Sequence, residues 1–243
     1  MAGRAVTRRR REIGIDSLAA IGKSVPMLLR AFLINLEVLV ALLGVGLVAG
    51  TLIAILQVYA GRLIGYLAFL FEWVFRAIPA LILLLLFYFG PPRFGFDISP
   101  FLAATLALGF RSAAYQSQIF RGAIQAIPTG QMLAARSVGM SRARAVVTII
   151  LPQAFRLSIP GWSNEFSGVT KDTTLAYAVG LNEVLRAARV VMDRQYNLAM
   201  LAYLTVALLF LALTYAGNWG LGLLEKKTRI PGLEMKGIGG ENR

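Results

Sequence analysis

The chain has 243 residues, 57% hydrophobic and 15% charged, with a net charge of +13 and a mean hydropathy of +0.67. Soluble domains carry about a quarter charged residues, so a soluble globular, disordered or collagen-like chain is excluded. With no Cys and no His, thiol and Ser-His-Asp chemistry, disulfides and Cys/His metal sites are excluded too, and no cofactor or metal is expected.

Residues 1–14 form a basic tail. The Arg run is like a signal-peptide n-region, but Asp16 and Lys23 break the apolar stretch that follows. No Ala-x-Ala site closes it, so no cleaved signal is expected. Over 15–31, Ile15, Leu18, Ile21, Val25 and Leu28 recur at helical spacing, with Asp16, Lys23 and Ser24 opposite. This pattern fits an amphipathic helix on the membrane surface, or an extension of the first span.

Span 1 is predicted at about 32–59 and overlaps a run, 38–61, with no charged side chain. Such a run exceeds the roughly 20 residues that cross a bilayer core. Gly44, Gly46 and Gly50 within it suit close helix packing. Span 2 is predicted at 64–89, interrupted by Glu72, Arg76 and Pro79, and the Gly-Pro-Pro loop at 90–95 ends it. Span 3 is predicted at 99–120. Residues 121–145 are too basic to cross. Span 4 is predicted at 146–181, interrupted by Pro152, Pro160 and Lys171-Asp172. A polar segment, 183–195, precedes span 5 at 197–224, and the basic stretch 225–229 stops it. The expectation is an all-α polytopic membrane protein with about five transmembrane helices and its termini on opposite sides. Lys and Arg are nearly balanced between the two sets of loops, so charge alone does not orient the chain. The positive charge fits cytoplasmic loops and anionic membrane lipid. No nucleic-acid motif accompanies it, so no nucleic acid is expected as a partner.

The most informative segment begins at Gly130-Gln131-Met132-Leu133-Ala134-Ala135 and runs through Gly139 to Ile149 and Leu151-Pro152. It resembles the EAA loop of permease subunits in bacterial and archaeal ABC importers. That pattern is Glu-Ala-Ala, three residues, Gly, nine residues, Ile, one residue, Leu-Pro. Ala134, Ala135, Gly139, Ile149, Leu151 and Pro152 fall at the family spacing, while Leu133 replaces the Glu. Physically, a short helix must fit the cleft of a cytoplasmic ATPase. Ala and Gly allow close approach, and Gly139 permits a sharp turn.

Other segments resemble the polar amino acid uptake branch of this family. They include Arg76-Ala77-Ile78-Pro79, Ile119-Phe120-Arg121-Gly122, Leu151-Pro152-Gln153-Ala154, Asn164, Lys171-Asp172-Thr173-Thr174-Leu175, Val179-Gly180 and Glu183. The resemblance covers about 30–227. It implies the type I importer fold: five spans, an outside N-terminus, and a coupling helix and C-terminal tail in the cytoplasm. The Arg-rich start fits an outside location poorly. The implied organisation is a tail with a possible interfacial helix (1–31), a permease domain (32–227, coupling loop about 128–145) and a cytoplasmic tail (228–243). The implied partners are cytoplasmic ATP-binding subunits, a second permease subunit (identical or paralogous) and an extracytoplasmic substrate-binding protein. The implied ATPase contacts are Gln131, Leu133, Ala134, Ala135, Gly139, Leu151 and Pro152. ATP hydrolysis belongs to the partner, so no catalytic residue is expected here.

An ionisable group at bilayer centre costs about 2.5–3.5 kcal/mol, so it faces a cavity or a partner. Glu72 and Arg76 are four apart in the favourable order for an ion pair. The pair is either structural or substrate-facing, with Arg76 free to bind an α-carboxylate through two hydrogen bonds. Glu165 and Asp172 are seven apart and share a helix face across Gly168, with Asn164 and Lys171 on the neighbouring stripe. Such an acidic face suits an amino or guanidinium group, and with it a cationic or zwitterionic amino acid; alternatively, Lys171 and Asp172 only pair with a neighbouring helix. These six residues are the candidate substrate site. Arg111 is either structural or reaches to a surface. An ion-coupled carrier using Glu72, Glu165 and Asp172 as relays is the alternative, though the internal repeats common in carriers are absent. A membrane enzyme is the third reading, opposed by the absence of His, Cys and any paired-carboxylate metal motif.

Overall fold

The computed structural model describes residues 2–228, with side chains from residue 20 onward. The tail 229–243 lies outside the described residues. Among the described residues every regular element is a helix.

Helix α1 (Ala2–Tyr59) runs unbroken for 58 residues, passing through Pro26. Residues 15–31 therefore continue the first span's helix. Its upper half does not stand alone: Ile21, Leu28, Ala31 and Phe32 are buried against α8 (Val184–Arg194) and α9 (Ala199–Thr228). Phe32 meets Phe210 of α9 edge-on at 5.3 Å.

The expected second span is two helices, α2 (Arg62–Ala77) and α3 (Ala80–Phe89), bent by 104°. The cause is local. A residue before proline is driven out of the helical region, and Ile78 is extended at φ −82°, ψ 131°. Phe71 and Phe75 of α2, Phe87 of α3 and Phe110 of the next helix pack ring to ring and hold the bend.

Helix α4 (Pro100–Ala126) is the centre of the bundle. Ser99 caps it by accepting from Leu102 N at 3.2 Å, and Pro100 opens it. Ala103, Ala104, Ala107, Ala113 and Ala114 of α4 are fully buried, and Gly109 lets α4 approach Leu42 and Val45 of α1. The two helices approach so closely that a Cβ on Gly50 would lie 2.9 Å from the Ala113 carbonyl. Gly46 faces Ser112 and Gln116 in the same way, whereas Gly44 faces open space. Gly50→Leu should therefore wedge α1 from α4 and destabilise the protein by about 1–3 kcal/mol, read as a lowered Tm in detergent. An unchanged Tm would mean that the contact can relax.

After α4 come α5 (Thr129–Ser137), the short α6 (Arg142–Ala145), a π-helical turn (Val146–Ile150) and α7 (Leu151–Asp172). A 3₁₀ segment (Thr173–Val179) and Gly180, at φ +91°, lead to α8. Among the described residues, three helical stretches are long and apolar enough to cross a membrane: Ala20–Tyr59, Arg142–Val179 and Tyr196–Thr228. The bent α2–α3 pair makes a fourth if it counts as one span. Helix α4 has the length but not the hydropathy, because Arg111, Gln116 and Gln118 interrupt its apolar run.

Outside these spans, Glu183 fastens the upper ends of the bundle. It is fully buried and caps α8, accepting from Leu185 N at 2.9 Å and Arg186 N at 2.8 Å. Asn35 of α1 donates to Glu183 at 3.2 Å and to Thr173 at 3.2 Å, and accepts from Val184 N at 3.0 Å. Burial pushes the Glu183 carboxyl above its ordinary range, against the opposing pull of these donors. The folded state then holds the proton more tightly than the unfolded state. Stability from this group is full below the ordinary carboxylate value and falls as pH rises through the raised folded value. Melting of the parent and of Glu183→Gln across pH 4–8 should show a steeper decline in the parent; equal slopes would remove Glu183 as a source of it.

Candidate functional site

Two features carry the functional geometry: a polar belt around α4 inside the bundle, and the exposed turn around α5.

On α4, Arg111, Tyr115 and Gln118 share one helix face, and Ser112 and Gln116 sit beside it. Glu72 of α2 is 1% exposed and meets this face. It accepts from Gln57 of α1 at 2.8 Å, from Arg76 at 3.2 Å and from Gln118. The Arg76 and Arg111 guanidinium groups flank the Tyr115 ring at 5.1 and 5.0 Å from its centroid. Arg111 then reaches across to Asp172 of α7 at 2.7 Å. One turn pair earlier on α7, Glu165 accepts from Ser112 at 2.7 Å. Gln116 donates to Ser112 at 3.0 Å and accepts from the Trp162 indole at 2.9 Å. The Nε groups of both arginines are buried with no hydrogen-bond partner in the protein. The belt thus joins α1, α2, α4 and α7 through charged and amide groups, with Arg76 and Asp172 side chains 35% and 28% exposed.

Of the six residues expected at a substrate site, Glu72, Arg76, Glu165 and Asp172 converge on α4. Asn164 and Lys171 do not; both are exposed on another stripe of α7. Lys171 instead borders a groove of about 400 Å³ with Thr174, Phe210, Leu211 and Thr214. The seven-residue spacing brought the two acids together as expected, but the adjacent stripe turns away, because neighbouring helical positions diverge by about 100°. Sequence reasoning did not assign Tyr115, Gln118 or Gln57. The signal was a polar stripe at i, i+4 and i+7 from Arg111 within an apolar helix.

The α5 turn is built by its glycine. Met140 N donates to Ala135 O and Gly139 N to Arg136 O, both at 3.1 Å, which closes the helix in a Schellman pattern. Gly139 takes φ +84°, the left-handed region that glycine favours. Leu133, Ala134 and Gly139 point outward, with Leu133 69% exposed. Ala135 is buried against the chain itself, and Leu151 is half-buried beside Ala54 and Ile150, so these two hold the turn in place. Pro152 is exposed in the first turn of α7. Gln131 and Gln153 exchange amide hydrogen bonds at 3.1 and 2.6 Å, tying α5 to the start of α7. Arg142 lies over the Tyr59 ring at 5.1 Å, tying the turn to the end of α1. These contacts tie the α5–α6 turn to two long helices.

Residues 46–230 match the model of the inner membrane component of binding-protein-dependent transport systems. The chain belongs to this family. A relative from Bacillus subtilis (strain 168), the arginine transport system permease protein ArtQ, is 34% identical over 85% of this chain and 95% of its own length. The probable glutamine ABC transporter permease protein GlnM of the same organism is 32% identical over 74% and 83%. The solved structure of an amino acid ABC transporter with histidines matches with a TM-score of 0.76 and 30% identity, over 86% of this chain and 97% of that one. Family membership places this permease in the cell membrane as a multi-pass subunit of a transport system, and favours that reading over an ion-coupled carrier.

Proposed function

We propose that this permease is the membrane pathway of an ATP-driven importer of cationic amino acids in a prokaryotic cell membrane. It crosses the membrane five times, with α4 the innermost crossing, α2–α3 a bent one, and α5 on the cytoplasmic side. It pairs with a second permease subunit. Two ATP-binding subunits grip the α5 turns, and an extracytoplasmic binding protein delivers substrate. ATP-driven closure moves α5, and the Gln131–Gln153 and Arg142–Tyr59 contacts carry that movement into α7 and α1. The helix bundles then reorient and open the belt to the other side.

The observation that carries the substrate class is the charge of the belt. It holds three carboxylates, Glu72, Glu165 and Asp172, against two guanidinium groups, Arg76 and Arg111. Glu165 is held only by a hydroxyl. A cationic side chain would supply the missing positive charge, while the part-exposed Arg76 guanidinium, which donates to Glu72 through one nitrogen, has further donors for the α-carboxylate. The printed names of relatives, arginine and glutamine among them, agree with a polar amino acid.

Gly139→Asp tests the coupling role. No atom lies within 4 Å of the position a Cβ would take, and Asp is among the residues that tolerate the left-handed region. The variant should fold and insert as the parent does, yet lose substrate uptake and its ATPase partner on purification in mild detergent. Unchanged uptake would refute the coupling assignment. A parent chain that purifies without any ATPase would refute the importer reading itself.

A further inference from the structure

The segment that carries α5 is basic and apolar. From 98 to 164 the sequence has no Asp or Glu. Leu133, Val138 and Val147 are 69%, 77% and 64% exposed, an unusual cluster for a cytoplasmic turn. Arg136 and Arg144 are exposed beside them. Among the described residues no carboxylate lies within ion-pair distance of either arginine. Arg136 only accompanies its own turn, donating to Met140 O at 3.2 Å.

We propose that this turn docks into an ATP-binding subunit whose cleft has an apolar floor and an acidic rim, with Leu133 seated where the family pattern places a glutamate. The proposal rests on the coupling role given above and names the chemistry of that partner. Apolar side chains at 133 and 138 gain by leaving water. The arginines gain only if carboxylates meet them, and two unpaired guanidiniums pressed against a basic or neutral cleft would be costly. The same arrangement sets partner choice. An ATP-binding subunit carrying a basic group for the usual glutamate would find no partner at Leu133 and would face repulsion from Arg136 and Arg144.

The test uses the full permease in detergent and the purified ATP-binding subunit recovered with it. Retention of that subunit is measured from low salt to about 0.5 M, where screening acts within a few ångströms. The expected result is a loss of retention of about tenfold or more with salt. Arg136→Glu with Arg144→Glu should lower retention about tenfold at low salt, and Leu133→Glu should lower it similarly, whereas Leu133→Met should retain it. All three positions point to solvent, and unchanged gel-filtration profiles will show that the variants stay folded. Leu133→Glu binding as tightly as the parent or tighter would overturn the proposal, because the cleft would then offer a basic group. So would retention insensitive to the arginine reversals, including the case where those variants lose only binding to vesicles of anionic phospholipid. A parent that recovers no ATP-binding subunit would instead refute the coupling role, leaving the two failures distinguishable.

Discussion

Asp172→Asn should lower uptake of a cationic amino acid by about tenfold to a hundredfold in proteoliposomes, equivalent to about 1.4–3 kcal/mol. The side chain sits 2.7 Å from Arg111 and is partly open to solvent, so its charge is available to a ligand as well as to the arginine. Neutralising it brings the belt to two carboxylates against two guanidiniums. The charge surplus that favours a cation disappears. It also leaves Arg111 without its carboxylate, and truncating one member of a hydrogen-bonded charge pair costs about 2–5 kcal/mol when the pair is fully desolvated. Exposure of 23% and 28% on the two side chains argues for the lower part of that range. Uptake of a neutral amino acid, measured in parallel, should fall less. ATPase activity with the partner bound should persist, since Asp172 and the α5 turn belong to different ends of α7. Equal cationic uptake in variant and parent would remove Asp172 from the substrate site.

Glu72→Ala should have the largest effect on stability, a loss of about 3–5 kcal/mol that prevents recovery of folded protein. Glu72 is 1% exposed and receives three donors, from Gln57, Arg76 and Gln118. Its removal strands two buried amides and one guanidinium, each with a desolvation cost already incurred and no acceptor in return. It also severs the polar tie that Gln57, Glu72 and Gln118 make between α1, α2 and α4. Glu72→Gln keeps an acceptor oxygen and should fold, with Tm lowered by a few degrees. If Glu72→Ala melted like the parent, the belt would be a solvated cluster and not a structural hub. Together the two variants test a division of roles in the belt, with Glu72 expected to hold the helices and Asp172 expected to meet the substrate.

The membrane character, the helical class and the sharp turn at Gly139 were legible in the chain itself. Long uncharged runs can satisfy their backbone only as helices in lipid. Gly139 marks the end of α5 because its φ of +84° is one that glycine adopts without strain. The Glu72–Arg76 pair was legible for the same reason, since four residues on a helix are one turn. Tertiary structure alone decided the rest. Arg111 had no assignable partner until α4 and α7 came together, 61 residues apart in sequence. Asn164 and Lys171 share a segment with Glu165 and Asp172, yet face elsewhere, because only the packing of α7 against α4 selects which stripe turns inward. The bend between α2 and α3 follows from Pro79 locally, but its 104° angle is held by aromatic packing from α4. Glu183 shows the same division: its place before α8 suits a cap, but its burial and its ties to Asn35 and Thr173 exist only once α1 passes beside it. Local geometry is encoded within a few residues, whereas a polar belt needs helices far apart in sequence to share one interior.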